Sequence, residues 1–269
     1  MNQRSVTPAT FSNDSLALTT LAITVWGSSL LFGMYILIFY ALAMVTDDLP
    51  RWNTHLPELH VAGGDVGNSG IGIHFAGGGI MLALGSVQFI EALRRVAPVV
   101  HRWLGRIYVI AALVAAVGGL GFIAVRGTVG GLWMDVGFGL YGGLMFVSAV
   151  QTARFAMARQ LVEHRAWAVR LYALALGSWL YRMDYAFWFL VADGVGHTPT
   201  FDGPFDVFMD FAFYLPSLAV AEGFLRAGNQ RWTGPVVNAL LWVATAYVVV
   251  ATAYFASELW VPNMIEALS

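Results

Sequence analysis

The sequence contains no cysteine, no lysine and few charged residues of any kind. Without cysteine there are no disulfides, no thiolate metal sites and no cysteine nucleophile. All 14 basic residues are arginines, so Schiff-base chemistry on a lysine amine is also excluded. Charged residues make up 11% of the 269 positions, whereas soluble domains carry about a quarter. The net charge of −2 argues against a nucleic-acid partner.

Apolar residues dominate instead, at 58% of the chain, and the mean hydropathy is +0.68. Several apolar runs reach about 20 residues, the length that crosses roughly 30 Å of hydrocarbon. Such runs are helices, because backbone groups in lipid must be satisfied within the segment. The run from Leu16 to Val45 is too long for the apolar part of a signal peptide, about 7–15 residues, so we interpret it as an uncleaved first span. Hydropathy predicts seven spans in all, over residues 16–45, 71–93, 104–125, 132–156, 166–191, 207–226 and 236–258. The predicted fold is an all-α, polytopic transmembrane helix bundle embedded in a lipid bilayer.

The distribution of charge along the chain predicts the orientation of the bundle. The connections after spans two, four and six are rich in arginine: Arg94, Arg95, Arg102, Arg106, Arg154, Arg159, Arg165, Arg170, Arg226 and Arg231. The connections after spans one and five are acidic: Asp47, Asp48, Glu58, Asp65, Asp193, Asp202 and Asp206. Arginine-rich loops stay in the cytoplasm. The N-terminus is therefore predicted to be cytoplasmic and the C-terminus to lie outside.

Glycine is concentrated in spans two, three and four. Membrane helices pack through small residues, because no water drives their association. We therefore expect these three spans to form a tight sub-bundle. The glycines concerned are Gly72, Gly77, Gly78, Gly79, Gly85, Gly118, Gly119, Gly121, Gly137, Gly139, Gly142 and Gly143.

Polar residues within the spans fall into two layers when depth is counted at about 1.5 Å per helical residue. The inner layer contains His101, Arg102, Arg106, His164, Arg165, Arg170, Gln88 and Glu222. The outer layer contains His74, Arg182, Asp184, Asp206 and Asp210. Ionisable groups at such depth are costly and usually functional. We expect Arg182 to pair across the bundle with Asp210 or Asp206, and Glu222 to pair locally with Arg226.

Two similar stretches, HRWLGRIY at 101–108 and HRAWAVRLY at 164–172, open the third and fifth spans. One interpretation is interfacial anchoring, since arginine and aromatic residues hold span ends at the headgroups. A second is a b-type haem ligated by His101 and His164, which lie at the same depth. A third is an anion or quinone site formed by the arginines. His74 has no intramembrane histidine partner on its side, so a second haem is not expected, and no metal other than haem iron is predicted.

The order of these residues resembles a known family. His74, Gly85 and Gln88 lead to Arg94-Arg95. Then follow His101-Arg102-x-x-Gly105-Arg106-x-Tyr108 and His164-Arg165-x-Trp167-x-x-Arg170, with Arg182 later in the same span. This pattern, over residues 71–190, resembles the bacterial predicted membrane-protein family called domain of unknown function 2306. Ala168 stands where the family usually has Met. The resemblance implies a multi-pass protein of the bacterial inner membrane. It also implies that His74, His101, Arg106, His164, Arg170 and Arg182 belong to one site or scaffold.

The chain is thus expected to be a single integral membrane domain over residues 1–269. It combines a family-like core at 71–190 with added spans at 16–45, 207–226 and 236–258. The leading hypothesis is electron transfer with bound haem b or quinone at the cytoplasmic side. The cofactor-binding candidates are His101, His164, His74, Arg102, Arg106, Arg165, Arg170 and Gln88. The alternatives are a small-solute transporter that uses Arg182, Asp184 and Asp210 as an intramembrane relay, and a non-catalytic subunit of a membrane complex. Whether the protein is an enzyme is left open.

Overall fold

The computed structural model describes residues 13–227 and 234–269, and these are almost entirely helical, without a strand. Arg231, counted above among the loop arginines, lies outside the described residues. In chain order the α-helices are α1 (Asn13–Tyr35), α2 (Leu42–Val45), α3 (Asp65–Gly85), α4 (Glu91–Val96), α5 (Pro98–Arg126), α6 (Gly131–Met157), α7 (Leu161–Ala175), α8 (Gly177–Ala192), α9 (Pro204–Ala212), α10 (Leu215–Ala227), α11 (Pro235–Phe255) and α12 (Val261–Leu268). The all-α prediction is confirmed.

Six helical segments among the described residues are long and apolar enough to cross a membrane. They are Leu16–Val45, Asp65–Phe89, Pro98–Arg126, Gly131–Met157, Pro204–Ala227 and Pro235–Leu268. Their outward faces are apolar: α5 exposes Ile107, Ile110, Val114 and Val117 along one stripe, with the three-to-four-residue spacing of a single helix face. The chain is therefore a multi-pass membrane protein whose helices contact lipid.

The predicted fifth span consists of two helices, α7 and α8, that meet at Leu176. Helical hydrogen bonding nevertheless continues across the junction, because the Leu176 amide donates to the Tyr172 carbonyl at 3.1 Å and the Leu180 amide donates to the Leu176 carbonyl at 2.8 Å. At the junction Gly177 packs closely, since a Cβ there would lie 3.0 Å from the Tyr141 ring. The interruption leaves each half too short to count as a span alone.

Successive passes are antiparallel, which gives the bundle two chemically distinct ends. We call the end with connections 46–64, 127–130 and 193–203 the acidic end, and the end with connections 90–97 and 158–160 the arginine-rich end. Two arginines depart from the charge pattern. Arg51 lies at the acidic end in an ion pair with Asp48 at 2.6 Å, and Arg126 ends α5 there as well.

Arg126 fastens the first acidic connection onto the helices. Its guanidinium donates to the carbonyls of Glu58, Leu59 and Gly64 and to the side chain of Asn68, at 2.9–3.2 Å. Hydrogen bonds from a charged donor contribute about 1.5–3 kcal/mol each. Arg126 therefore holds the loop over the acidic end of the bundle.

The closest helix contact joins α3 and α5 through glycines. A Cβ on Gly118 would lie 2.5 Å from the Gly70 carbonyl oxygen, and a Cβ on Gly77 would lie 2.7 Å from the Ala111 carbonyl oxygen. These contacts confirm the predicted tight packing of the second and third spans. In α6, by contrast, a Cβ on Gly139 or Gly143 would meet nothing within 4 Å, so those two glycines do not serve close helix packing.

Candidate functional site

A cavity of about 460 Å³ lies within the acidic half of the bundle. Aromatic side chains contribute to its lining from several passes and from the C-terminal segment: Phe32, Tyr35, Phe75, Phe138, Tyr181 and Trp260 are examples. The first acidic connection, which Arg126 fastens, covers it through His55 to Leu59. The cavity therefore has mostly apolar walls and a loop-built cover.

Two helical irregularities border the cavity. The first pass changes to π-helical winding at Ile36–Ala41, and the last pass does so at Ala256–Trp260. Ile36, Tyr40, Leu259 and Trp260 from these turns line the cavity. Such single π-turns occur frequently at functional sites, and they bring these side chains to the cavity wall.

His74, on α3, presents its ring to the cavity. Its Nδ1 lies 2.8 Å from the Ala115 carbonyl oxygen on α5. Because a carbonyl only accepts, Nδ1 carries the proton, and Nε2 of the neutral ring is left as an acceptor. The ring fits between the helices because α5 has glycine at 119, where a Cβ would lie 2.8 Å from Nδ1.

Arg182, on α8, lines the same cavity. Its guanidinium lies over the rings of Phe32 at 5.5 Å and Tyr181 at 5.4 Å and donates one long hydrogen bond, 3.4 Å, to the Ser178 carbonyl. It is near enough to His74 for the two to interact electrostatically.

The predicted pairing of Arg182 with Asp206 or Asp210 is wrong. Among the described residues Arg182 forms no ion pair. Asp206 instead accepts a hydrogen bond from Tyr185, has its Oδ1 within 2.7 Å of His197 Nδ1, and caps the N-terminus of α9, so its carboxylate is already fully engaged. Arg182 thus brings a positive charge to an apolar cavity without a carboxylate partner in the part of the chain that the structure describes.

The residues of the suggested transport relay make separate contacts. Asp184 accepts a hydrogen bond from the Tyr247 hydroxyl on α11. Asp210 is fully buried, and neither of its carboxyl oxygens has a hydrogen-bond partner among the described residues. Arg182, Asp184 and Asp210 are therefore not joined to one another by hydrogen bonds or ion pairs.

Tyr181, Tyr185 and His197 form a polar strip on the cavity wall nearest α9. The Tyr181 hydroxyl donates to the Tyr185 hydroxyl at 3.1 Å, and the Tyr185 hydroxyl donates to Asp206 Oδ1 at 2.5 Å. His197 Nδ1 lies 2.7 Å from the same oxygen. Sequence reasoning missed this strip, although the spacing of the two tyrosines by four residues on one helix face was a usable signal.

The loop that carries His197 is braced by its own side chains. Amides of Thr198 and Gly203 donate to Asp206 Oδ2, both at 3.0 Å. The hydroxyls of Thr198 and Thr200 donate to Asp202 and hold the pKa of that carboxyl below its usual value. Asp202 therefore keeps its negative charge at the acidic end even in mildly acidic solution.

The inner layer divides into a partly buried set and an exposed set. His164 Nδ1 lies 2.9 Å from the Thr152 carbonyl oxygen. His101 is near enough to His164 to interact electrostatically, and its Nδ1 is buried without a partner among the described residues, as is Gln88 Nε2. Arg102, Arg106 and Arg165 are exposed, which is the position expected of side chains that anchor a span at the headgroups.

Glu222 pairs with Arg170 and not with Arg226, so the predicted local pair is wrong. The contact is bidentate: Nε and Nη2 of Arg170 donate to the two carboxylate oxygens. Arg170 also lies 4.7 Å from the Trp167 ring. The bidentate fit of guanidinium to carboxylate links α7 to α10, and it removes Arg170 from the set of arginines available to a cofactor.

This chain is a multi-pass helical membrane protein, because its long apolar helices alternate in direction. It also contains an internal cavity of the size of a small ligand, covered by a loop. Residues 71–225 match the family described as Predicted membrane protein (DUF2306), and the chain belongs to that family. The match includes most of the span at 207–226, which sequence analysis placed outside the family-like core. Comparisons with curated proteins and with solved structures gave no match.

Proposed function

We propose that this protein binds a quinone or quinol in the cavity at the acidic end and serves electron transfer in the membrane. The observation that carries the proposal is that His74 and Arg182 both lie on the wall of one cavity lined by aromatic side chains. The site thus differs from the cytoplasmic-side location expected from sequence.

The size and lining of the cavity support a flat, mostly apolar ligand. Its volume of about 460 Å³ lies within the range of roughly 300–1,000 Å³ that is typical of small-molecule sites. Aromatic rings such as Phe75, Phe138 and Tyr181 stack on conjugated ring systems at a gain of about 0.5–1.5 kcal/mol each.

The two polar groups on the wall are chemically different. Arg182 has only donors, so it can hydrogen-bond a quinone carbonyl or a quinol oxygen. His74 Nε2 is an acceptor, because Nδ1 is committed to the Ala115 carbonyl. A quinol hydroxyl can donate to it, whereas a quinone has no donor. We therefore expect the reduced ligand to make one more hydrogen bond than the oxidised ligand.

Equilibrium dialysis of the purified protein with a short-chain ubiquinone tests the site. Replacing Arg182 by Gln removes a charge-assisted hydrogen bond of about 1.5–3 kcal/mol, so the Kd should rise about 10- to 100-fold. Arg106→Gln, at an exposed arginine of the inner layer, is the matched control and should leave the Kd unchanged. Equal effects of both variants, or no binding to the wild type, would refute the proposal.

The difference between the two redox forms provides a second test. His74→Phe removes the acceptor and retains an aromatic ring. The ratio of the quinone Kd to the quinol Kd should fall about tenfold, because the quinol loses the free energy of one hydrogen bond and the quinone does not. Because a general loosening of the cavity would weaken both forms equally, an unchanged ratio would contradict the assignment of His74.

A second candidate function is b-type haem ligation at the arginine-rich end by His101 and His164. It is supported by their electrostatic proximity and by the hydrogen bond that fixes His164 Nδ1 on Thr152, which leaves Nε2 for iron. Ligating histidines commonly donate their other ring nitrogen to a carbonyl in this way.

An absorption spectrum separates this candidate from the quinone site. Protein purified from haem-replete cells should show a Soret band that shifts on dithionite reduction, and His101→Ala or His164→Ala should remove most of the haem. His60→Ala, in the loop at the acidic end, is the control. A colourless wild-type preparation would exclude the haem candidate and leave the quinone proposal untouched.

A further inference from the structure

We infer that Tyr181, Tyr185 and Asp206 form a proton relay that takes a proton from the ligand in the cavity to the loop at the acidic end. The inference rests on the proposed function, because the cavity ligand is the proton donor. It assigns a role to a hydrogen-bonded chain that quinone binding itself does not require.

The chain is continuous and its ends lie in different surroundings. Tyr181 and Tyr185 line the cavity beside Arg182. Each hydroxyl donates to the next group, at 3.1 Å and 2.5 Å, and the series ends on Asp206 Oδ1. Asp206 is fully buried, but it is in contact with His197, whose side chain is 18% exposed. Buried groups therefore connect the cavity to a residue that reaches the medium.

The polarity of these hydrogen bonds fits transfer out of the cavity. A hydroxyl of the ligand gives its proton to the Tyr181 oxygen while the Tyr181 proton passes to Tyr185 and the Tyr185 proton passes to Asp206. In the net step the O–H bond of the ligand breaks, the O–H bond of the Asp206 carboxyl forms, and both tyrosines are regenerated. The ligand keeps the electron pair, so no oxidant or reductant is needed for this step.

His197 completes the path. In its Nε2–H tautomer the ring accepts the proton from Asp206 at Nδ1, over the same 2.7 Å contact, and then releases the Nε2 proton to the medium. The charged groups around the chain are Arg182, which acts electrostatically on Tyr181, and Asp210, which acts on the same ring. Arg182 stabilises the anion that remains in the cavity after the proton leaves.

A simpler alternative is that Asp206 only caps α9, because its carboxylate also accepts hydrogen bonds from the amides of Thr198 and Gly203. The two roles use different oxygens. The backbone amides bind Oδ2, whereas Tyr185 and His197 bind Oδ1. Tyr185→Phe therefore breaks the chain and leaves the cap intact.

The test uses a coloured ligand whose own proton is observed. An alkyl-substituted 2-hydroxy-1,4-naphthoquinone changes its absorption when its hydroxyl ionises. After a photoacid-triggered pH jump, the bound probe reports how fast the cavity exchanges protons with the medium. Tyr185→Phe should slow this relaxation about 100-fold, within the range that a positioned proton-transfer group contributes, while the Kd of the probe stays the same.

Two further variants complete the design. Tyr181→Phe interrupts the chain one step nearer the cavity and should slow the relaxation likewise. Tyr141→Phe is the matched control: Tyr141 lines the same cavity, but its hydroxyl donates to the Leu174 carbonyl, so the rate should not change. If the probe binds the wild type and Tyr185→Phe and Tyr181→Phe relax at the wild-type rate, the relay is overturned and the binding site stands. If the probe does not bind the wild type, both proposals are overturned.

Discussion

At the scale of single residues, the arginines show how the same side chain serves different purposes. Arg170 and Glu222 satisfy each other in a bidentate pair, and Arg126 satisfies four acceptors of the loop and of α3. Arg126 and Arg182 both line the cavity, but Arg182 makes only one long hydrogen bond, to Ser178. Burial of a charge is costly unless the charge is paired, so Arg182 is the arginine whose surroundings call for a polar ligand.

The Arg170–Glu222 pair provides a prediction about stability. Both side chains are partly buried, at 23% and 30% exposure. Glu222→Gln should lower the free energy of unfolding by about 1 kcal/mol and the thermal midpoint in detergent by roughly 2–4 °C. Arg226→Gln is the control and should have little effect. If Arg226→Gln were as destabilising as Glu222→Gln, Arg226 would be a partner of Glu222 after all.

At the scale of helices, the contact between α3 and α5 positions the site. Gly70, Gly77 and Gly118 let the two backbones approach closely, and this approach brings His74 within hydrogen-bond distance of Ala115. The orientation of the imidazole therefore depends on glycines about one turn from His74 on α3 and about one turn from Ala115 on α5. A change in this packing is therefore expected to move the His74 ring.

Gly118 and Gly121 make a matched pair for testing that coupling. Both lie on α5, but a Cβ at 118 would meet the Gly70 carbonyl oxygen at 2.5 Å, whereas a Cβ at 121 would meet nothing within 4 Å. Gly118→Ala should destabilise the protein by about 1–3 kcal/mol through overpacking and should weaken quinone binding. Gly121→Ala should be neutral or stabilising by up to about 1 kcal/mol. Thermal unfolding in detergent and dialysis measure the two effects, and equal behaviour of the variants would contradict the packing account.

At the scale of the whole molecule, the two ends of the bundle differ in charge and in architecture. Loops at the acidic end are braced by Arg126 and by the Thr198–Asp206 segment, and they cover the cavity. The two longest connections among the described residues, 46–64 and 193–203, are at the acidic end. The cavity thus lies at the acidic end, and the exposed arginines Arg102, Arg106 and Arg165 lie at the other.

The predicted orientation, with the arginine-rich end in the cytoplasm, can be measured directly because the chain has no native cysteine. Ala62→Cys and Gln160→Cys place single thiols at exposed positions of the acidic and arginine-rich ends. A membrane-impermeant maleimide applied to sealed right-side-out vesicles should label position 62 and reach position 160 only after lysis. The reverse labelling pattern would contradict the positive-inside prediction.

Much of the fold follows from composition and periodicity. The long apolar runs at 16–45 and 104–125 had to become helices, since lipid offers the backbone no hydrogen bonds. The interruption at Leu176 was not predictable, because the sequence around Gly177 is apolar on both sides and only the close approach of Tyr141 distinguishes it. The local sequence is enough to predict that a span exists. An irregularity inside a span depends on how neighbouring helices pack against it.

The site was harder to predict than the fold. Depth counting placed His74 and Arg182 in one outer layer, and both line the same cavity. Depth counting could not predict the residues that contact them. The depth of a residue gives its height in the membrane but not the neighbouring helix that its side chain faces. Arg182 was therefore assigned to Asp206 or Asp210, and Glu222 to Arg226, whereas the packing of α7 against α10 joins Glu222 to Arg170.

The most direct test of the central claim is the infrared spectrum of a quinone with ¹³C-labelled carbonyls bound to the purified protein. A carbonyl that accepts a hydrogen bond from Arg182 should absorb at lower frequency than the free quinone. His74 offers no donor, so the other carbonyl should remain near the free value, and Arg182→Met, which has no donor, should abolish the shifted band. Two unshifted carbonyls in the wild type, or a shifted band that persists in Arg182→Met, would contradict the account.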